Sequence, residues 1–235
     1  MCPILDFANH TSIDSLSITQ DEFALGDGMA FSTSSSIKKG DQIYLRYGSH
    51  SNAFLFSEYG FVLPLGLEGA HITDGEVIID PDVEELLLGT KDYKLKEDLL
   101  KDRSYWGDWT FYVQDGDARP SYRVIPALRL HYISLESKSD TNPELQLWED
   151  SIMGLTDRIS EENDSKVRQS VTRLCERIIE RSKSRIADIR SQVANTGEIK
   201  ASEWSQVLHM IERLWEEEYY VAEGVRQSTL NGVVF

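Results

Sequence analysis

The side chains with chemical potential gather near the start of the chain. They lie in Pro3-Ile4-Leu5-Asp6-Phe7-Ala8-Asn9-His10, in Ile37-Lys38-Lys39-Gly40-Asp41-Gln42-Ile43-Tyr44-Leu45-Arg46-Tyr47-Gly48, and in Asn52 with Tyr59-Gly60-Phe61-Val62. A carboxamide next to an imidazole can donate and accept at one point, and a tyrosine joins a hydroxyl to an apolar ring. Each piece also has an ordinary structural reading: Asn9 as a turn or cap residue, His10 as a satisfied histidine, Tyr59 and Phe61 as core aromatics. Metal chemistry has no support. Cys2 and Cys175 cannot build a cysteine-rich zinc cluster, and His10, His50, His71, His131 and His209 show no ligand spacing. Gly40 and Gly48 open no glycine-rich loop before a helix, so they read as turn geometry and not as a phosphate cradle.

The elements that must position these residues fall into two parts. Residues 1–75 carry nine of the 40 acidic and three of the 24 basic side chains, with short apolar runs between turn formers. Strands are expected at Ser15–Ile18, Phe23–Leu25, Met29–Ser32 and Gln42–Arg46, with reversals at Gly26-Asp27-Gly28 and Lys38–Asp41. Asn52–Tyr59 fits a short helix stopped by Gly60. Residues 76–235 look mainly helical: Asp80–Leu88, Leu95–Leu100 and Tyr122–Leu135, then Glu161–Val193 and Ala201–Ser228, with Ser137–Pro143 as an exposed linker. The last two carry apolar stripes at a period near 3.6, so they should pair as an antiparallel hairpin flanked by opposite charges. That seam reads as structural core or as a docking surface, and periodicity does not distinguish the two. The fold class expected is α+β.

The chain has 235 residues, 40% hydrophobic and 27% charged, with a formal charge of −16. Such a charge disfavours nucleic acid and anionic membranes and favours cationic partners. No run of about 18 apolar residues occurs and the N-terminus does not read as a leader, so an intracellular protein is expected. The absence of a strong basic cluster leaves cytoplasm and nucleus both open.

In this order and spacing, the quoted segments resemble the C-terminal half of the SET domain over roughly residues 3–64, in the subfamily typified by plant Rubisco large-subunit lysine methyltransferases. The helical part is similar to that subfamily's substrate-binding domain. The resemblance implies S-adenosylmethionine as cofactor and a protein substrate with a lysine acceptor, histidine being a further possibility within the wider family. It implies Tyr47 as the catalytic hydroxyl, Asn9, His10 and Phe61 as cofactor-binding residues, and Tyr59 as the residue that binds the lysine amine. Asp6 is read as structural.

The chain departs from the family pattern in one respect. SET enzymes also rest the cofactor on an N-terminal strand-rich half with a Gly-x-Gly segment. Gly26-Asp27-Gly28 follows the Asn-His pair and reads instead as a hairpin turn. The expectation is therefore an N-terminally truncated methyltransferase, weak or inactive alone, whose unpaired strand edges favour association. The alternative is a non-catalytic module that binds a basic protein segment through its helical part.

Overall fold

The computed structural model describes residues 7–11, 17–20, 29–32, 36–45, 47, 50–69, 71–135, 142–195 and 203–232. The chain divides into two compact units, Met1–Leu63 and Pro64–Phe235.

In the first unit, β1 (Asn9–His10) is followed by β2 (Ser17–Gln20), β3 (Met29–Ser32), β4 (Tyr44–Leu45) and α1 (Asn52–Tyr59). β2 and β3 pair antiparallel, Ser17 opposite Ser32 and Gln20 opposite Met29. β1 and β4 pair in parallel, Asn9 with Tyr44 and His10 with Leu45, and Thr11 N–H extends the ladder to Leu45 C=O at 3.2 Å. A parallel pair needs a long connection, here the stretch that contains the β2–β3 hairpin. The turn before β4 is held by Asp41 N–H on Lys38 C=O at 3.0 Å, by Lys38 N–H on the Asp41 carboxylate at 2.9 Å, and by Gly40 at φ 101°. α1 starts where Ser51 Oγ accepts from Phe54 N–H at 3.3 Å and stops at Gly60, whose φ of 74° is open to glycine at little cost. The expected strand at Phe23–Leu25, the Gly26-Asp27-Gly28 reversal and Asp6 lie outside the described residues.

The second unit begins earlier than residue 76. β5 (Leu67–Glu68) and β6 (His71–Ile72) form a small hairpin, and β7 (Gly75–Ile78) joins β8 (Thr110–Gln114) and β9 (Asp117–Pro120) in an antiparallel sheet ordered β7-β8-β9. This sheet is an addition to a part that is otherwise mainly helical, as expected. Its signal is visible in retrospect: Phe111 and Val113 alternate inward, and Asp115-Gly116 is a two-residue hairpin turn with both φ positive, at 51° and 79°.

The helices are α2 (Asp80–Leu88), α3 (Tyr93–Asp102), α4 (Val124–His131), α5 (Pro143–Ile152), α6 (Glu161–Asn195) and α7 (Glu203–Leu230). The α5 helix begins inside the expected linker, because Asn142 caps it by accepting from Glu144 N–H at 2.9 Å and Pro143 occupies its first turn. The α6–α7 hairpin is antiparallel, as its charge pairs show: Arg181 with Glu218 at 3.3 Å, and Arg190 with Glu212 and Glu216 at 2.5 and 2.9 Å. These exposed pairs contribute little stability individually. The apolar seam contributes more, with Val167, Val171, Leu174, Ile178, Val221 and Val225 buried.

α7 also lies across the sheet. Gly224 lets it approach closely, since a Cβ there would stand 3.1 Å from Ala118 Cβ and 3.6 Å from Val113. Trp109, Phe111, Leu128, Leu130 and Trp148 fill the core of this unit, and the Trp148 indole donates to Pro126 C=O at 2.9 Å. The buried Cys175 is a free thiol, and burial pushes its pKa well above the ordinary value. Among the described residues no helix is long and apolar enough to cross a membrane.

Candidate active site

Parallel pairing of β1 with β4 places the Asn-His segment beside the strand that leads into Tyr47. The Tyr47 N–H then donates to His10 Nδ1 at 3.1 Å, and the Tyr47 hydroxyl donates to Ala8 C=O at 2.7 Å. The ring centroids of His10 and Tyr47 stand 5.1 Å apart. Residues 9 and 47, separated widely in sequence, are therefore local neighbours through Ala8 and His10.

The other two aromatic positions arrive from the end of α1. Gly60 reverses the chain between Tyr59 and Phe61, so both rings turn to the same cluster. Tyr47 and Tyr59 are 5.0 Å apart, Tyr59 and Phe61 6.2 Å, and Phe61 and His10 6.0 Å. The four rings close a circuit. The Tyr59 ring is half exposed, and Asn9 is exposed on β1, one residue out of phase with the half-buried His10. All five residues singled out from the sequence thus fall in one region of the first unit.

One contributor was quoted in the motif without being given a role. Asn52, buried in the first turn of α1, accepts from Leu63 N–H at 2.7 Å and donates to Leu63 C=O at 3.4 Å. This two-point clamp closes the loop that carries Tyr59 and Phe61. A carboxamide suits the task because it presents one donor and one acceptor side by side, matching a peptide unit. The Ala8 carbonyl is a second contributor, which no side-chain pattern could reveal.

Chemically, the cluster offers flat apolar ring faces, two phenolic hydroxyls and an exposed carboxamide. His10 Nδ1 accepts from a backbone N–H, so the imidazole there is the neutral tautomer protonated on Nε2. Among the described residues no group of three or more His, Cys, Asp or Glu could hold a metal ion.

In a chain of mixed helix and sheet, the Asn-His strand thus lies beside the strand that leads into Tyr47. Residues 89–215 match the family described as Rubisco LSMT substrate-binding. The chain belongs to that family. It is 26% identical over 220 residues to human SET domain-containing protein 4, covering 93% of this chain and 44% of that protein. It is 29% identical over 150 residues to ribosomal lysine N-methyltransferase 2 of Saccharomyces cerevisiae, covering 59% of this chain and 29% of that protein. Among solved structures, the SET domain of LSMT bound to lysine and AdoHcy aligns with a TM-score of 0.49 at 21% identity, over 97% of this chain and 49% of that one. The chain thus spans less than half the length of the relatives it matches.

Proposed function

We propose that this chain carries part of an S-adenosylmethionine-dependent protein-lysine N-methyltransferase. The first unit supplies the C-terminal part of a SET-type site, and the second unit, from the expected 76–235 and the strands just before it, supplies the substrate-binding domain. The observation that carries this reading is the closed circuit of His10, Tyr47, Tyr59 and Phe61 beside Asn9, in a chain whose relatives include a ribosomal lysine N-methyltransferase.

The donor set suits the cofactor. Phe61 and His10 offer planar surface to a purine, and Asn9 offers an exposed carboxamide for hydrogen bonds. When bound, the cofactor supplies a methyl group activated on a sulfonium. Tyr47 commits its hydroxyl proton to Ala8 C=O, which leaves the oxygen lone pairs to face positive charge developing nearby. Tyr59, half exposed at the edge of the circuit, meets the lysine amine through its hydroxyl. The amine must arrive without its extra proton, and aromatic walls favour the neutral form by desolvation. Most of the rate then comes from alignment of amine and methyl.

These 235 residues alone are expected to hold the cofactor weakly, since they span 44% of the human relative. Isothermal titration should give a Kd weaker than about 100 μM. To test the roles, a chimera should join this chain to the portion of human SET domain-containing protein 4 outside the matched region. Labelled methyl transfer to protein lysines by the chimera, with turnover at least tenfold lower for Tyr47→Phe, supports the assignment. Equal turnover removes Tyr47 from the chemistry. An inactive chimera whose second unit still captures a basic protein segment would favour the non-catalytic alternative.

A further inference from the structure

In the second unit, α7 covers one face of the β7-β8-β9 sheet, where Val77, Phe111, Val113 and Ala118 are buried. Strand alternation turns Glu76, Ile78, Thr110 and Tyr112 to the other face. There they line a groove of about 480 Å³, joined by Asp80, Asp108, Tyr122 and Arg123. Its apolar surface is open: Ile78, at an outward strand position, is 58% exposed and Tyr122 is 70% exposed. The lining carries three carboxylates against one guanidinium, an excess of two negative charges. Arg123 is already held, by the Asp108 carboxylate at 3.0 Å and the Tyr122 hydroxyl at 2.8 Å. The Asp80 carboxylate accepts from Trp109 N–H at 2.6 Å, and neither it nor the Glu76 carboxylate forms an ion pair among the described residues. Asp117 and Arg119, the exposed residues of β9, pair with each other and leave that excess unchanged.

We propose that this groove docks a basic segment of a protein, with a lysine whose stem lies over Ile78 and Tyr112 and whose ammonium reaches Glu76 and Asp80. A lysine joins an aliphatic stem to a charged head, so it fits a surface where open apolar side chains adjoin carboxylates without a cation. The same negative excess repels nucleic acid and anionic lipid, and it disfavours a second copy of a chain whose formal charge is −16. The proposal deepens the reading of the second unit as a substrate-binding domain. Docking requires neither cofactor nor methyl transfer, so the two readings fail separately.

The test is fluorescence anisotropy of a dye-labelled octapeptide of alternating alanine and lysine, titrated with the whole 235-residue chain at about 0.15 M salt. Saturable binding with a Kd tighter than about 300 μM is expected, and none for the same peptide with glutamine in place of lysine. Glu76→Gln and Ile78→Ser should each weaken it about threefold or more, the scale of one exposed ion pair or a partly covered side chain. Glu161→Gln, which removes one exposed charge at the start of α6, should leave it unchanged. Circular dichroism establishes that the variants remain folded. Native affinity in Glu76→Gln or Ile78→Ser, equal weakening by Glu161→Gln, equal binding of the glutamine peptide, or no saturable binding up to about 2 mM each overturns the proposal. A dimer in light scattering that Ile78→Ser abolishes would give this face to a second copy and overturn it as well.

Discussion

Tyr47 and His10 are joined through the backbone as well as through their rings. The Tyr47 N–H donates to His10 Nδ1 at 3.1 Å while the two rings stand 5.1 Å apart, so the imidazole sets the position of the strand end that carries the phenol. The bond exists only while Nδ1 bears no proton. Nitrogen NMR of the imidazole should therefore show Nδ1 unprotonated and Nε2 carrying the proton at neutral pH. The opposite tautomer would remove His10 as the support of Tyr47. His10→Ala, which leaves the Tyr47 N–H without this acceptor, should cost about 1 kcal/mol in urea unfolding of the first unit.

Asn52 has a distinct influence on the same cluster. Replacing it by Ala abolishes both hydrogen bonds to Leu63 and is expected to destabilise by about 2 kcal/mol. Amide exchange at Leu63 should accelerate well beyond that of residues elsewhere in the chain. If exchange at Leu63 is unaltered, the clamp is not what holds the Tyr59–Phe61 turn.

In the second unit, Lys96 is almost fully buried, with its ammonium 3.0 Å from Asp92 and 2.8 Å from His131 C=O. Burial lowers the lysine pKa, and Asp92 opposes the shift. Lys96→Ala leaves a carboxylate and a carbonyl without this partner, and a loss of about 3 kcal/mol is expected from chemical denaturation. Lys96→Met, which fills the volume, should lose as much or nearly so because Asp92 keeps its charge. A neutral result for both variants would show that the pair contributes nothing net.

His131, beside this pair, gives a pH dependence of definite sign. Burial, reinforced by the Lys96 ammonium, holds its pKa below the ordinary 6.5, while Asp92 pulls the other way. The unfolded chain therefore binds the proton more readily than the folded one. Its contribution is complete above the unfolded pKa and is lost as pH falls through that value towards the folded one. Urea midpoints at pH 7.5 and 5.5 should accordingly differ more for the native sequence than for His131→Asn. Equal differences would assign the acid sensitivity to other groups.

The sequence by itself determined the elements whose signals are local. Asp80-Pro81 opens α2, Ser51 and Gly60 bracket α1, and the apolar stripes of α6 and α7 foretell their pairing, because caps and periodicity act within a few residues. The short sheet β7-β8-β9 and helix α5 also carried local signals, in Asp115-Gly116 and Asn142-Pro143, but weak ones beside the helical composition around them. What only the tertiary structure decided is which chemical groups meet. Nothing within Asn9-His10 or within Tyr44–Tyr47 states that they lie side by side; parallel pairing across the intervening hairpin does that. The same holds for the carboxylates of Glu76, Asp80 and Asp108 around one groove, drawn from β7, α2 and the segment before β8. Contacts between segments remote in sequence depend on loop closure and shared burial, and neither leaves a mark on any one segment.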